Sequence, residues 1–330
     1  MDEPLPSRLP WQETQWQHLR RALAQGRLPH ALLFSGPQGV GKERFALAWV
    51  HSLLCPERDA EGRPCGVCRH CRLLQSGTHP DFQWIRPDQE SKSGEIKIEA
   101  IRELADGAAL TAQSGGYKAI LIQPAHRMNT AAANSLLKTL EEPSRDTLIV
   151  LLSDQPSRLL PTIRSRCQQL NFAIPPRPQA LEWLAGKTRH GEPQGLLDLA
   201  GGAPLQALTL DDAGLLQGRR EMLERFLGLA QGREDPVALA QEWVNLDSRL
   251  LLEWLAGWTI DLLRLKADAA PPQLFNYDQV QALRLLADKV NSKVLQRYLG
   301  LVYEARGLND GNLNSQLVLE RLLIEWRVCR

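Results

Sequence analysis

Short apolar runs alternate with helical patterns over the first half of the chain. Four of these runs predict buried strands, over residues 31–34, 82–85, 119–122 and 148–152. Amphipathic patterns between them predict helices over 42–54, 96–110 and 131–141. Strands that are apolar throughout and alternate with helices form parallel sheets, because both faces of such a sheet are covered. The first half is therefore predicted to be an α/β domain with a parallel sheet.

The second half of the chain carries helical patterns alone. Apolar residues recur there at spacings of three and four, over 250–262, 280–301 and 313–323. The proline-rich segment 175–178 marks a domain boundary, and 330 residues are too many for one ordinary core. We therefore predict three domains: an α/β domain over 1–173, a small helical domain over 174–212 and a larger helical domain over 213–330.

The composition is that of a folded globular protein, with 43% apolar and 23% charged residues. The net charge is +1, from 39 basic and 38 acidic residues, so no strongly basic domain indicates nucleic acid as the direct ligand. No apolar run approaches the roughly 20 residues that span a bilayer. The N-terminal sequence Met1-Asp2-Glu3-Pro4 lacks the basic and apolar regions of a signal peptide. These observations predict a cytoplasmic protein.

A glycine-rich turn follows the first predicted strand. Residues Gly36 to Lys42 fit the phosphate-loop pattern G-x-x-x-x-G-K, with Gly39 and Gly41 inside it. In such a loop, backbone N–H groups and the helix N-terminus bind phosphate, and the lysine reaches the terminal phosphates. The next residue is usually a serine or threonine whose hydroxyl holds Mg²⁺, whereas this chain has Glu43. One magnesium ligand of the pattern is therefore missing.

A second requirement for ATP hydrolysis is missing as well. Carboxylates at the end of a later strand hold Mg²⁺ and orient the attacking water, but the third predicted strand is followed by Gln123 and Pro124. We interpret the loop as a structural connection between strand and helix that does not support hydrolysis. Weak nucleotide binding without hydrolysis stays open, because Lys42 is retained.

Four of the six cysteines lie close together with the spacing C-x9-C-x2-C-x2-C: Cys55, Cys65, Cys68 and Cys71. Four thiolates close a tetrahedral zinc site, and each C-x2-C pair supplies two ligands from one turn. In a reducing compartment such a cluster indicates metal rather than disulfides. A complete cysteine set leaves no open position for catalysis, so we predict a structural zinc ion. His51 and His70 are alternative ligands that the four cysteines make unnecessary.

Three further motifs follow in order: Thr78-His79-Pro80-Asp81, the segment 133–143 (ANSLLKTLEEP) and Ser165-Arg166-Cys167. Together with the cysteine-rich insert after the phosphate-loop helix, they resemble bacterial clamp-loader subunits of the AAA+ class. The specific motifs cover about the first half of the chain, and the second half matches in organisation. The resemblance implies that 174–212 is a helical lid and that 213–330 is a collar through which subunits assemble.

The resemblance also implies that this subunit has no ATPase activity in isolation. Clamp-loader motor subunits keep Ser or Thr after the lysine and an acidic pair after the strand, where this chain has Glu43, Gln123 and Pro124. Motor subunits also place a sensing arginine shortly after a turn that corresponds to 201–203, and here the next residue is Pro204. These departures argue against ATP binding by this chain itself.

The arginine of the Ser-Arg-Cys motif is expected to act on a neighbouring subunit. In this family it projects across the subunit boundary onto the neighbour's ATP, which assigns Arg166 a role in trans. A guanidinium suits that role because its planar fork stabilises charge on the transferred phosphoryl group. The implied function is a stator in a heteropentameric clamp loader, with tau/gamma motor subunits and a delta subunit as partners. That complex opens the sliding clamp and places it on primed DNA during replication.

Two other functions stay open at this point. One is an ATP-hydrolysing motor subunit of the same fold, which predicts carboxylates at positions 123 and 124. The other is a zinc-knuckle module that binds nucleic acid, which predicts a basic excess and aromatic residues among the cysteines. No aromatic residue lies between Cys55 and Cys71, and we interpret the arginines around the cluster as a solvated face.

Overall fold

The computed structural model describes residues 5–88, 94–108, 112–144, 146–308 and 314–327. The chain divides into two compact units, Met1–Gln179 and Ala180–Arg330. Parts of three predictions lie outside the described residues. These are the N-terminal residues 1–4, the end of the predicted helix at 110 and the start of the last predicted helix at 313.

The first unit is built on a parallel sheet with the strands β1 (Ala31–Ser35), β2 (Phe82–Ile85), β3 (Lys118–Ile122), β4 (Thr147–Ser153) and β5 (Gln168–Asn171). The strand order is β2-β3-β4-β1-β5, and every neighbouring pair is parallel. The register places Ser35 opposite Ser153 and Ile122 opposite Leu151. The carboxyl ends of β1, β3 and β4 therefore meet at one edge, where ligand sites of such sheets lie.

The apolar or polar character of each strand explains which strands the sequence reveals. Strand β2 is half-buried at one edge of the sheet, but three of its four residues are apolar and it was predicted. The residues of β1, β3 and β4 are buried along the whole length of each strand, and each of the three contains a predicted apolar run. Strand β5 lies at the edge of the sheet beside β1 and is mostly exposed and polar. It was not predicted, because a polar edge strand carries no apolar run. The prediction of a parallel α/β region is thus confirmed, with one more strand than expected.

Within the described ranges, the helices of the first unit are α1 (Glu13–Ala24), α2 (Lys42–Leu54), α3 (Arg69–Gln75), α4 (Ile98–Ala108), α5 (Thr130–Glu141) and α6 (Pro161–Arg164). Helix α2 begins directly after the glycine-rich turn and packs on the sheet through Phe45, whose ring meets Phe34 of β1 edge-on at 5.5 Å. One turn later on the same face of the helix, Trp49 contacts Trp16 of α1 with 5.3 Å between ring centroids. These aromatic contacts hold the glycine-rich turn against β1.

Helices continue through the rest of the chain: α7 (Arg177–Leu184), α8 (Pro193–Leu199), α9 (Pro204–Leu210), α10 (Ala213–Ala230), α11 (Pro236–Trp243), α12 (Ser248–Ala267), α13 (Val280–Ala287), α14 (Ser292–Leu308) and α15 (Ser315–Arg327). The prediction that helices follow the α/β region is confirmed. The three-domain division with limits at 173 and 212 stays a prediction.

The second unit contains two clusters of buried apolar residues. One is small and gathers residues of α7, α8 and α9, including Leu184, Leu197 and Leu210. The other is large and is centred on Phe226, which stacks on Trp326 with 4.1 Å between ring centroids. Among the helices described, none has both the length and the apolar character that a membrane span requires.

Candidate functional site

The turn between β1 and α2 has the form of a phosphate loop. Gly36 has a φ of 147°, and a Cβ at this position would lie 2.0 Å from the carbonyl oxygen of Phe172, so a larger residue does not fit. Gly41 caps α2 with a left-handed φ of 90°. The predicted residues Gly36, Gly39, Gly41 and Lys42 thus lie between the carboxyl end of β1 and the first turn of α2.

The side chain of Lys42 turns back onto its own loop. Its Nζ donates hydrogen bonds to the carbonyl oxygens of Gly36 at 2.8 Å and Pro37 at 2.6 Å. The same atom forms an ion pair with Oδ1 of Asp154 at 2.6 Å, and only 6% of the lysine side chain is exposed. An ammonium group has three N–H donors, and these three acceptors occupy all of them. Lys42 therefore has no donor left for a phosphate in this conformation.

Asp154 is part of this site although the sequence prediction missed it. It follows β4 directly, at the edge of the sheet where β1 also ends. A carboxylate immediately after a buried strand of a parallel sheet is a recognisable signal, because the carboxyl ends of such strands surround the ligand site. The motif places the carboxylates after the third predicted strand, whereas Asp154 follows the fourth.

Glu43 and Gln123, the two residues at the positions where the motif predicts magnesium ligands, contact each other. Nε2 of Gln123 donates a hydrogen bond to Oε2 of Glu43 at 2.7 Å. The backbone N–H of Gln123 also donates to the carbonyl oxygen of Ile85 at 2.9 Å, which fixes the residue at the end of β3. A neutral amide supplies no negative charge for Mg²⁺ and cannot act as a base, and Pro124 beside it has no polar side-chain atom. The Glu43 carboxylate is thus partnered by an amide.

The segment before α1 holds the glycine-rich loop from another side. The indole Nε1 of Trp11 donates to the carbonyl oxygen of Val40 at 3.0 Å, and Nε2 of Gln12 donates to that of Gly41 at 2.9 Å. Gln12 is fully buried. These bonds satisfy carbonyl groups of the loop, so contacts within the protein itself maintain its conformation.

The four predicted zinc ligands lie together. Cys55 follows α2, Cys65 and Cys68 lie in the connection, and Cys71 belongs to α3. Their sulfur atoms all lie within 4.8 Å of one another, with 3.7 Å between Cys55 and Cys65 and 3.9 Å between Cys55 and Cys68. A tetrahedral site with Zn–S bonds of about 2.3 Å places its sulfurs about 3.8 Å apart. The cluster therefore fits a metal ion such as zinc.

Backbone N–H groups donate hydrogen bonds to three of these sulfurs, which favours the thiolate form. The N–H of Cys65 points at Sγ of Cys55 at 3.4 Å, that of Cys68 at Sγ of Cys65 at 3.3 Å, and that of Cys71 at Sγ of Cys68 at 3.4 Å. A backbone hydrogen bond from Val67 lowers the pKa of Cys65, whereas burial raises the pKa of Cys55 and of Cys71. A bound dication would favour the thiolates of the buried pair, so metal binding would release protons.

A pair of histidines connects the cysteine cluster with the sheet. His70, which precedes Cys71 in α3, has Nδ1 3.0 Å from Nε2 of His79. The N–H of Asp81 donates to Nδ1 of His79 at 3.1 Å, which leaves Nε2 of a neutral His79 to donate to His70. Burial lowers the pKa of His79, which favours this neutral form. Within the described residues the group of possible metal ligands consists of cysteines alone. His70 is therefore a neighbour of the cluster in α3 and not one of its ligands.

Asp81 completes the Thr-His-Pro-Asp motif as a structural anchor. Its carboxylate accepts hydrogen bonds from the backbone N–H groups of Gln113 at 2.7 Å and Ser114 at 2.9 Å. Burial opposes ionisation of this carboxyl, but these bonds outweigh burial and lower the pKa of Asp81. The motif therefore orders the segment that leads into β3, whose end carries Gln123.

Arg166 lies between α6 and β5, on the exposed side of the first unit. Its Nη1 donates to the carbonyl oxygen of Thr162 at 3.0 Å, and its Nη2 forms an ion pair with Oε1 of Glu141 at 2.5 Å. The guanidinium side chain is 36% exposed. The neighbouring Cys167 is buried, and burial raises its pKa to about 11. Ser165 and Arg166 are thus the exposed members of the Ser-Arg-Cys motif, while Cys167 belongs to the core.

The segment 133–143 divides between core and surface. Leu136 and Leu140 of α5 are buried in the apolar cluster of the first unit. Lys138, Glu141 and Glu142 are exposed. The contact between Glu141 and Arg166 links two motifs that lie 25 positions apart, and the sequence analysis did not anticipate it.

The turn at 201–203 leads directly into α9, and Pro204 is the first residue of that helix. Pro204 is buried in the second unit. A proline in the first helical turn is favourable because its missing N–H has no partner there in any case. The position at which motor subunits are expected to have an arginine is thus used here to start a helix.

Comparison with protein families gives two matches that together cover most of the chain. A family described as "DNA polymerase III, delta subunit" matches residues 11–176. A second, described as "DNA polymerase III, delta subunit, C terminal", matches residues 213–327. The first match contains the glycine-rich loop, the cysteines and Arg166.

Individual relatives agree with the family matches. DNA polymerase III subunit delta′ of Pseudomonas aeruginosa is 39% identical, over 96% of each chain. The delta′ subunit of Escherichia coli K12 is 32% identical over 96% of this chain and 94% of that protein. A gamma/tau subunit of DNA polymerase III from Mycobacterium tuberculosis is 36% identical, but over 47% of this chain and 26% of that protein.

Proposed function

Because the chain belongs to the family of DNA polymerase III delta′ subunits, we propose that within the clamp loader it acts as a stator that does not hydrolyse ATP. The clamp-loader prediction itself is confirmed by these relatives. The stator role is inferred from the hydrogen bonds and the ion pair that the side chains of the glycine-rich site form within the protein.

The contacts of Lys42 carry this proposal. Its three donors are taken by Gly36, Pro37 and Asp154, so phosphate binding would require the protein to give up an ion pair and two hydrogen bonds. The Glu43–Gln123 hydrogen bond joins the two side chains that stand where the motif of hydrolysing relatives has magnesium ligands. A motor subunit needs its lysine and its metal ligands free for nucleotide, and neither condition is met here. These contacts also argue against ATP as a cofactor of this chain.

Arg166 is the residue through which we infer that the stator acts. Its side chain is about one-third exposed on the surface of the first unit, and its guanidinium offers a planar set of donors that matches the oxygens of a phosphoryl group. We assign it to the ATP site of a neighbouring tau/gamma motor subunit. The complete assembly would be a heteropentamer with a delta subunit, and it would open the sliding clamp and place it on primed DNA.

The cysteine cluster is assigned a structural role. Cys55, Cys65, Cys68 and Cys71 would hold one zinc ion, and all four positions of a tetrahedral site would be filled by protein. The ion would fix the connection between α2 and α3. Since α2 begins at the glycine-rich loop, the metal would stabilise the helix on which that loop depends.

The proposal is tested by ATP hydrolysis measured in two settings. The isolated chain with Mg²⁺ and primed DNA is expected to show no turnover above background. In the reconstituted clamp loader, Arg166→Ala is expected to reduce turnover while the complex still assembles. An arginine finger, which is an arginine supplied to a phosphoryl-transfer site, raises the rate at a single site about 10³–10⁵-fold. The fall in ATP turnover of the whole complex should be smaller, because its other sites keep their own arginines.

Two variants serve as controls in the reconstituted complex. Arg166→Lys should fail to rescue activity, because an ammonium keeps the charge but lacks the planar fork. Arg158→Ala removes an exposed arginine from the same surface segment and should leave turnover unchanged. Full clamp loading by the Arg166→Ala complex, at saturating ATP and at ATP near KM, would rule out the role in trans.

A further inference from the structure

The guanidinium of Arg166 is drawn back onto its own subunit. The carbonyl oxygen that accepts from Nη1 belongs to Thr162, four positions earlier in α6. Nη2 forms an ion pair with Glu141, at the end of α5. A side chain that donates to a carbonyl one helical turn earlier lies along its own backbone, whereas one that reaches a neighbouring subunit must extend away from it. The contacts therefore describe a retracted arginine.

The contacts also leave part of the guanidinium unused. An arginine has five N–H donors, and the two bonds to Thr162 and Glu141 occupy one on each terminal nitrogen. Glu141 is half-exposed and Arg166 is more than one-third exposed. An ion pair with this exposure is weak because water screens it. An anion of higher charge can therefore displace the carboxylate without unfolding any element of the protein.

We propose that Glu141 is the resting partner of Arg166, and that Arg166 exchanges this carboxylate for a phosphate of the nucleotide on the neighbouring subunit. The inference rests on the proposed role of Arg166 in trans and adds a residue that regulates it. In the resting state the pair shields the positive charge and holds the side chain in one retracted conformation. When an ATP-bearing neighbour docks, its phosphate competes with Glu141 for the guanidinium. A neighbour that presents no phosphate at this position leaves the arginine paired with Glu141.

The exchange predicts which parameter responds to a change at Glu141. Removing the carboxylate removes the competitor of the phosphate, so the arginine should engage at lower ATP concentration. Exposed ion pairs are worth about a 1.5- to 5-fold change in an equilibrium constant, and the effect should have that size. The rate at saturating ATP should not change, because the guanidinium has left Glu141 in the engaged state.

The experiment uses Glu141→Gln in the reconstituted clamp loader, with Glu142→Gln as the matched control. Glu142 is the next residue, is also exposed and undergoes the same change of charge. We expect Glu141→Gln to lower the apparent KM for ATP about 1.5- to 5-fold with kcat unchanged, and Glu142→Gln to match the parent protein. Because the amide of Gln can still accept a hydrogen bond from Arg166, Glu141→Ala should reproduce or exceed the effect.

A double variant and a salt series identify the cause. In the Arg166→Ala background, Glu141→Gln should have no effect on KM, since no guanidinium remains to be released. The difference between Glu141→Gln and the parent should also shrink as salt is raised, because salt screens an exposed pair. Both results would support the exchange.

Three outcomes would overturn the proposal, and they are distinguishable. Equal KM values for Glu141→Gln and Glu142→Gln, with Arg166→Ala still defective, would reject the exchange alone. A fall in kcat in Glu141→Gln would mean that the carboxylate holds the arginine in its productive position. Full activity of Arg166→Ala would reject the role in trans, and the exchange with it.

Discussion

Gln123 and Glu43 are 80 positions apart in the sequence, and the side-chain amide of Gln123 donates to the carboxylate of Glu43 at 2.7 Å. Both residues stand where a nucleotide-hydrolysing relative is expected to hold Mg²⁺. Their contact shows that the two departures from the motif are complementary: an acceptor in one motif meets a donor from the other.

The contribution of this hydrogen bond to stability can be tested by replacing the amide with a second carboxylate. In Gln123→Glu two carboxylates would share the contact, and at pH 8 we expect the free energy of unfolding to fall by about 1 kcal/mol. The penalty arises because proximity raises the carboxyl pKa in the folded state. It is therefore fully present above the raised folded-state pKa and shrinks as the pH falls towards the unfolded pKa of about 4.3, so most of it is gone at pH 4. Urea unfolding at the two pH values measures the difference.

The reversed pair is the control for this prediction. Glu43→Gln combined with Gln123→Glu restores one amide and one carboxylate, and its stability at pH 8 should return close to that of the parent. If Gln123→Glu alone were as stable as the parent at pH 8, the contact would contribute nothing.

Asp154 is expected to support Lys42 and at the same time to exclude phosphate. In Asp154→Ala the buried ammonium loses its charged partner. We expect a loss of about 3 kcal/mol in the free energy of unfolding, the low end for a broken buried pair because Asp154 itself is 26% exposed. The freed donor should then attract anions, so triphosphate should raise the melting temperature of Asp154→Ala more than that of the parent. Adding Lys42→Ala should abolish this gain.

An exposed aspartate provides the comparison. Asp288, at the end of α13, is exposed, and Asp288→Ala should change stability by less than about 0.5 kcal/mol. A triphosphate response in the parent protein as large as that in Asp154→Ala would contradict the idea that Asp154 closes the site.

Metal content tests the cysteine cluster. Protein purified without chelator should contain one zinc ion per chain by elemental analysis. Cys68→Ser should lose the ion and unfold at lower temperature, because metal binding at such a site contributes to folding. Cys167→Ala should retain the ion, since Cys167 lies in the apolar core.

The metal should also leave the cluster as the pH falls. Burial raises the pKa of Cys55 and of Cys71, so protons compete strongly for these two thiols. Competition with a colorimetric chelator should show zinc affinity decreasing steadily from pH 8 to pH 6. Two results would argue against the four-sulfur site: parent protein that lacks stoichiometric zinc, or Cys68→Ser protein that retains the ion.

His51 should make the protein sensitive to acid. Burial, with a smaller contribution from nearby His79, lowers the pKa of His51 to about 4. The unfolded chain therefore binds more protons between about pH 6.5 and pH 4, and stability contributed by neutral His51 is lost as the pH falls through this range. The loss due to this residue should be about 2–3 kcal/mol.

Replacement of the histidine isolates its contribution. His51→Gln cannot titrate, so its stability should fall less than that of the parent between pH 7 and pH 4.5 in urea unfolding. His190→Gln changes an exposed histidine and should follow the parent. Parallel loss in the parent and in His51→Gln would show that other groups cause the acid sensitivity.

Much of this protein follows from its sequence because the signals are local. The apolar runs within β1, β3 and β4 reveal strands since those strands are buried on both faces. The C-x2-C spacings and the G-x-x-x-x-G-K pattern are equally local, because each is read from one continuous segment. Comparison with the motif alone is enough to recognise that a hydroxyl is missing at Glu43 and that carboxylates are missing at Gln123 and Pro124.

The tertiary structure decided what replaced the missing chemistry. Nothing in the local pattern pairs Lys42 with Asp154, Glu43 with Gln123 or Arg166 with Glu141, since each pair joins separate segments. The first two pairs form because strand order and register bring the ends of β1, β3 and β4 to one edge of the sheet. The third forms where the ends of α5 and α6 approach. Strand β5 was hidden for a related reason, because an edge strand takes its place from backbone pairing with β1 rather than from an apolar side-chain pattern.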